Sequence, residues 1–176
     1  LAGQGYHLHV RGLKGGHSGV EIHLQRGNAI KILARALQAL QDDTANALRI
    51  VNLEGGDLRN AIPREADALI TLNGGNLATA QQNLQELTAH IRNELPPEDQ
   101  TLHISLEPAE TISRALSEKS TAQAIGVLRN LHNGVDRMSI DIPGLVETSN
   151  NLAVAKTGDD ALHISCMLRS SLDSAR

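Results

Sequence analysis

The stretch YHLHVRGL (residues 6–13) alternates, with Tyr6, Leu8 and Val10 on one side and His7, His9 and Arg11 on the other. A period of two is the signature of a strand that buries one face and leaves the other polar. The chain then runs into GLKGGHSGVEIH (12–23), in which His17 sits among Gly12, Gly15, Gly16 and Gly19. Asn28 follows as a helix cap, ahead of Ile30, Leu33, Leu37 and Leu40 at three- and four-residue spacing. Strand, glycine loop and helix form the first unit.

Outward from that unit, ALRIVNLEGG (47–56) and EADALITLN (65–73) read as two strands joined through GDLRNAIPR, where Pro63 holds Ile62 extended. A second helix is expected from Asn76 to Leu95, with Leu77, Ala80, Leu84, Leu87 and Ile91 as its apolar stripe and Pro96 and Pro97 as its stop. The order then repeats. TLHISLEP (101–108) reads as a strand, EKSTAQAIGVLRNL (118–131) as a helix, and VETSNNLAVAK (146–156) and ALHISCMLRS (161–170) as two strands turned at Gly158-Asp159-Asp160. The string LHIS occurs in both repeats. This echo predicts an α+β fold, an antiparallel sheet with helices on one face, built from doubled ferredoxin-like halves at 1–97 and 98–176.

Composition narrows the function classes. Lysine and arginine total 16 against 20 acidic residues, a net charge of −4, which offers no electrostatic footprint for nucleic acid or an anionic membrane. With no Phe, no Trp and one Tyr, the core must be aliphatic, and stacking platforms for single-stranded nucleic acid are missing. No apolar run approaches a bilayer span and no signal-peptide pattern opens the chain. The single cysteine, Cys166, shares its strand parity with Leu162, Ile164 and Leu168 and is expected to be buried. A cytoplasmic setting fits that usage. A start without Met reads as a piece of a longer protein.

The glycine loop fails two tests. A phosphate loop needs Lys and Ser/Thr after its last glycine, whereas Lys14 precedes the pair and Val20 follows Gly19. A zinc site from His7 and His9, or from His17 and His23, lacks its third and fourth ligands. Ser18 stands in no nucleophile elbow. His17 is left with two readings, a plain turn residue or a donor to an oxygen that becomes anionic in a transition state. The outer sheet face, with His7, His9, Arg11, His103, Ser105, His163, Ser165 and Arg169, likewise reads either as a solvated surface or as a cleft wall.

VRGLKGGHSGVEIH, GNAIKILARAL, GGDLRNAIPREA and VETSNNLAVA with ALHISCMLRSSLDS together resemble the lid domain of the zinc exopeptidase family that includes carnosinases and aminoacylases. The resemblance spans nearly the whole chain. It implies a hydrolase cleaving unblocked dipeptides, Xaa-His among them, with two zinc ions held by a catalytic domain absent from this chain. It implies no metal ligand here, an inactive isolated chain, a homodimer, and a cleft role for the polar sheet face.

By the same resemblance, the lid histidine in a Gly-His-Ser-Gly context that polarises the scissile carbonyl matches His17. The asparagine of an N-x-I-P motif that contacts substrate matches Asn60. A lid arginine that grips the substrate carboxylate matches Arg169 within MLRSSLDS, because the strand that carries it in many relatives ends here in Asn73. Two other roles suit the same pattern: a dimerisation module with no part in catalysis, and a small-ligand regulatory domain.

Overall fold

The computed structural model describes residues 3–43, 47–74 and 76–175. The alternating stretch lies in β1 (Gly3–Arg11), where Leu8 and Val10 are fully buried. A two-residue strand, β2 (Gly16–His17), precedes α1 (Ala29–Asp42). The Asn28 side chain caps that helix by accepting from the N–H groups of Ile30 and Lys31 at 3.0 and 3.3 Å. Then follow β3 (Ala47–Gly55), β4 (Ala61–Ile62), β5 (Ala66–Asn73) and α2 (Leu77–Glu94). The chain continues through β6 (His103–Ile112), α3 (Glu118–Asn130), β7 (Gly134–Met138), β8 (Val146–Thr157) and β9 (Leu162–Ser170). The fold is α+β, with three helices among the described residues.

The main sheet is antiparallel throughout and runs β6-β1-β5-β3-β8-β7, with β9 on the other side of β8. The elements β1-α1-β3-β5-α2-β6 trace one β-α-β-β-α-β unit whose spatial order, β6-β1-β5-β3, is the ferredoxin-like arrangement. The expected division between 97 and 98 falls between α2 and β6, and β6 pairs with β1, Val10 opposite Ile104. Strand β8 meets β3 at one corner, where Glu54 pairs with Lys156 and Gly55 with Ala155. The Thr157 hydroxyl accepts from the Leu53 N–H at 2.8 Å and donates to its carbonyl at 3.1 Å.

Past that corner β8 leaves β3, and side chains take over the ladder. Asn28 donates to the Leu152 carbonyl at 2.8 Å, and Asn133 accepts from the Leu152 N–H at 2.9 Å. One asparagine thus caps α1 and ties it to β8. Gly56 turns the chain away with φ of 70°, and a methyl there would overlap the Ala153 carbonyl.

All three helices share one core with the sheet, an aliphatic one that includes Leu8, Ile30, Leu37, Ile70, Ile125 and Leu152. Helix α1 packs between α2 and α3. Lys31 on α1 donates to the carbonyls of Leu128, Arg129 and Leu131 at 2.9, 2.7 and 2.7 Å, closing the C-terminal end of α3. On α2 the stripe shifts: Leu77 and Leu87 are half-buried, while Thr88 is buried because its hydroxyl donates to the Leu84 carbonyl at 2.7 Å.

One expectation is corrected. Cys166 is exposed, not buried. Parity alone implied burial, but β9 is an edge strand with no substantial helix packing against it, and Leu168 on the same strand is 48% exposed. On the outer face the polar residues fall into two groups. His7 stacks on His9 with centroids 5.7 Å apart, and both His9 and Arg11 contact Asp67 on β5, Arg11 at 2.6 Å. Burial works against the Asp67 charge, yet these hydrogen bonds hold its carboxyl below the usual aspartate range. His163 and Arg169 lie on β9, with β5, β3 and β8 between them and β1.

Candidate functional site

The site forms where the glycine loop meets the β3–β5 connection. Strands β2 and β4 pair as a separate two-stranded ribbon, Gly16 opposite Ile62 and His17 opposite Ala61. The Ser18 N–H extends it by donating to the Asn60 carbonyl at 2.9 Å. Two tight turns leave the same end of this ribbon. In one, Glu21 N–H donates to the His17 carbonyl at 2.9 Å; in the other, Ala61 N–H donates to the Leu58 carbonyl at 3.1 Å. His17 and Asn60 are therefore neighbours, and both are exposed.

Arg169 reaches the same place from β9. A methyl built on Gly19 would lie 2.9 Å from His17 Cε1 and 3.1 Å from Arg169 Cζ, so the imidazole and the guanidinium both lie against one glycine. Gly19 is needed for that close approach. His17 and Arg169 thus meet in one chain although they stand 152 positions apart in the numbering, and Asn60 is next to the His17 turn through its backbone carbonyl.

The loop also sets the state of the His17 ring. Gly19 N–H donates to Nδ1 at 3.0 Å, so Nδ1 is the acceptor and the ring proton of this neutral tautomer sits on Nε2. His17 N–H donates to Glu21 Oε2 at 2.7 Å, and Arg26 lies 3.0 Å from Glu21 Oε1 while donating to the Gly15 carbonyl at 2.7 Å. The bond from the His17 N–H, opposed by some desolvation and helped by Arg26, holds the Glu21 carboxyl below the usual value of 4.5. A depressed carboxylate pKa gives a tether that is complete above 4.5 and lost as pH falls through the lower folded value. The protection factor of the His17 amide, its exchange rate relative to the intrinsic rate at each pH, should therefore fall only in acid below 4.5 and hold toward neutrality; a fall near pH 6 would refute this.

Three supporting residues carry no signal in the sequence patterns. Asp99 is fully buried, and its two oxygens accept from the N–H groups of Lys14 at 2.7 Å and Gly27 at 2.6 Å, pinning both ends of the His17 loop. Asn151, 1% exposed, donates to the carbonyls of Arg59 and Ala61 at 3.3 and 2.7 Å, gripping the backbone on both sides of Asn60. Arg26 is the third. Ser18 is 2% exposed and unavailable as a nucleophile.

An open cleft of about 340 Å³ lies beside the ribbon, lined by Lys14, Gly16, Leu58, Ile62, Pro63 and Arg64 among others. Among the described residues, no three His, Cys, Asp or Glu side chains come together as a metal site. Among the described residues the site thus brings together a group that can donate to a carbonyl oxygen and one that can pair with a carboxylate. Among the described residues, no helix is long and apolar enough to cross a membrane.

Residues 8–99 match the family model described as the peptidase dimerisation domain. Over 171 residues the chain is 37% identical to the cytosol non-specific dipeptidase of Escherichia coli (strain K12), covering 97% of this chain and 35% of that protein. Its structure superposes on the aminoacylhistidine dipeptidase of Vibrio alginolyticus with a TM-score of 0.88 and 35% identity, covering 97% of this chain and 34% of that one. The chain spans about a third of the length of these relatives.

Proposed function

The chain belongs to the peptidase dimerisation domain family, and on that premise we propose that it is the lid of a dipeptidase. In this reading His17 donates from Nε2 to the scissile carbonyl oxygen as it becomes anionic, Asn60 orients the substrate and Arg169 binds its free carboxylate. The observation that carries the reading is that His17 and Arg169, far apart in the sequence, both lie against Gly19. In a dipeptide a single residue separates the scissile carbonyl from the terminal carboxylate. A tripeptide would push the carboxylate roughly 3.5 Å further out, past the guanidinium.

The two zinc ions that the resemblance implies would be held by the catalytic domain, outside this chain. Zinc would supply Lewis-acid chemistry there; this chain's share is to bind, orient and donate. The isolated chain is accordingly expected to be inactive. The relative's name refers to the cytosol, and we extend that setting to the parent of this chain.

Arg169 provides the test. In the full-length enzyme, Arg169→Ala should lower kcat/KM for a free dipeptide by about 10- to 100-fold, the worth of one or two charge-assisted hydrogen bonds. The C-terminally amidated dipeptide should be affected far less. An unchanged preference for the free acid would remove Arg169 from the site. A second reading, a homodimerisation module with no catalytic part, has support in the description of the matched family. It predicts that site substitutions leave kcat intact.

A further inference from the structure

His17 and Asn60 belong to the β2–β4 ribbon and Arg169 to β9, and no backbone ladder joins the two, because the ribbon is a sheet of its own. Among the described residues, the hydrogen bonds that tie the ribbon to β8 and β9 come from one side chain, Asn151 on β8. Its Nδ2 donates to the carbonyls of Arg59 and Ala61, while the Asn60 carbonyl between them accepts from the Ser18 N–H across the ribbon. Asn151 thus stands in for a strand partner along the second edge of β4. It also shares a face with Arg169. In the β8–β9 ladder Ser149 lies opposite Arg169 and Asn151 opposite Met167, and residues that are opposite or two apart project to the same side. From that face one side chain holds the backbone around Asn60, and the other reaches Gly19 beside His17.

We infer that Asn151 is a positioning residue that sets the span between the carbonyl donor His17 and the carboxylate-binding Arg169. The amide is an awkward occupant for fold stability alone. It is 1% exposed, and its Oδ1 is buried with no donor among the described residues, an atom that an apolar side chain would not leave unpaired. What the amide supplies is the pair of bonds to the ribbon. The inference rests on the proposed site, in which one substrate residue bridges His17 and Arg169. Freed from β8, the ribbon can shift against β9, and a displacement of about 1 Å is enough to spoil such a two-point fit. A substrate without a terminal carboxylate does not sense that span.

The test uses the full-length enzyme with Ala-Ala and its C-terminal amide. Asn151→Leu keeps most of the side-chain volume and removes both N–H donors; Asn151→Ala is the second variant, for the case that leucine is not accommodated. Either should lower kcat/KM for Ala-Ala about 10-fold more than for the amide. Either should also add little to Arg169→Ala, because in that background no second anchor is left to misplace. A residue that only supports the fold would act on both substrates alike and independently of Arg169. Equal loss on the two substrates, no loss, or effects that multiply with Arg169→Ala therefore overturn the inference. Arg169→Ala by itself isolates the premise. If it leaves the preference for the free acid unchanged, the site reading fails; if it removes that preference while the Asn151 variants do not reduce it, only this inference fails.

Discussion

Replacing His17 with alanine in the full-length enzyme is expected to lower kcat by about 10²- to 10³-fold, the usual cost of removing one oxyanion donor, or roughly 3–4 kcal/mol. Three features of the loop lead to that size. The ring is exposed toward the site while its backbone is locked by Glu21, so the donor is positioned before substrate arrives. The Gly19 N–H occupies Nδ1, leaving the proton at Nε2, where an oxygen can take it as a hydrogen bond without any change of charge. The neighbouring Arg169 fixes the far end of the substrate and so limits where its carbonyl can lie.

KM should change much less than kcat, because the donor matters most when the oxygen carries charge. His17→Gln, which keeps an N–H donor, should recover part of the loss. Since the side chain makes no core contact, the oligomeric state and thermal midpoint should match those of the unaltered enzyme. An intact dimer with unchanged kcat would leave the chain its dimerisation role alone.

Local patterns made part of this legible. The alternation at 6–13 and the Asn28 cap needed no long-range information, since a strand's period and a helix's first turn are properties of adjacent residues. Which neighbour a strand chooses is not local. Nothing in the alternation of β6 says that it lines up along β1, and nothing in Cys166 says that β9 is an edge without helix cover. The β2–β4 ribbon was illegible for another reason, as two residues per strand cannot display a period. His17 and Asn60 could therefore be singled out one at a time through their motifs. Their adjacency follows from the ribbon, and the arrival of Arg169 beside His17 from the far end of the chain emerges only when β8 docks by one corner on β3.

Asp99 lies at the other extreme, because PPED (96–99) reads as an ordinary surface turn after a helix, yet its aspartate is fully buried. Asp99→Ala should be among the most damaging single changes in the domain. It removes the acceptor from two backbone N–H groups at once, Lys14 and Gly27, and leaves them without a partner in a place where water does not readily substitute. With each charge-assisted bond worth about 1.5–3 kcal/mol, the expected loss is about 3–5 kcal/mol. For a domain of this size that lowers the thermal midpoint by roughly 10 °C.

Asp99→Asn separates anchoring of the loop from general stability. Its amide keeps one acceptor oxygen but turns an N–H₂ toward the second N–H, so one end of the loop stays pinned and the other is released. The expected result is a folded protein in which amides of residues 14–27 exchange faster while those of α1 beyond its first turn stay protected. In the full-length enzyme, kcat should fall although every residue that touches substrate is still present, because His17 no longer has a fixed loop beneath it. If the loop amides stay protected in Asp99→Asn, the carboxylate serves the core and not the loop. If they are freed and kcat is unchanged, His17 does not depend on a held loop, and the donor role assigned to it loses its structural basis.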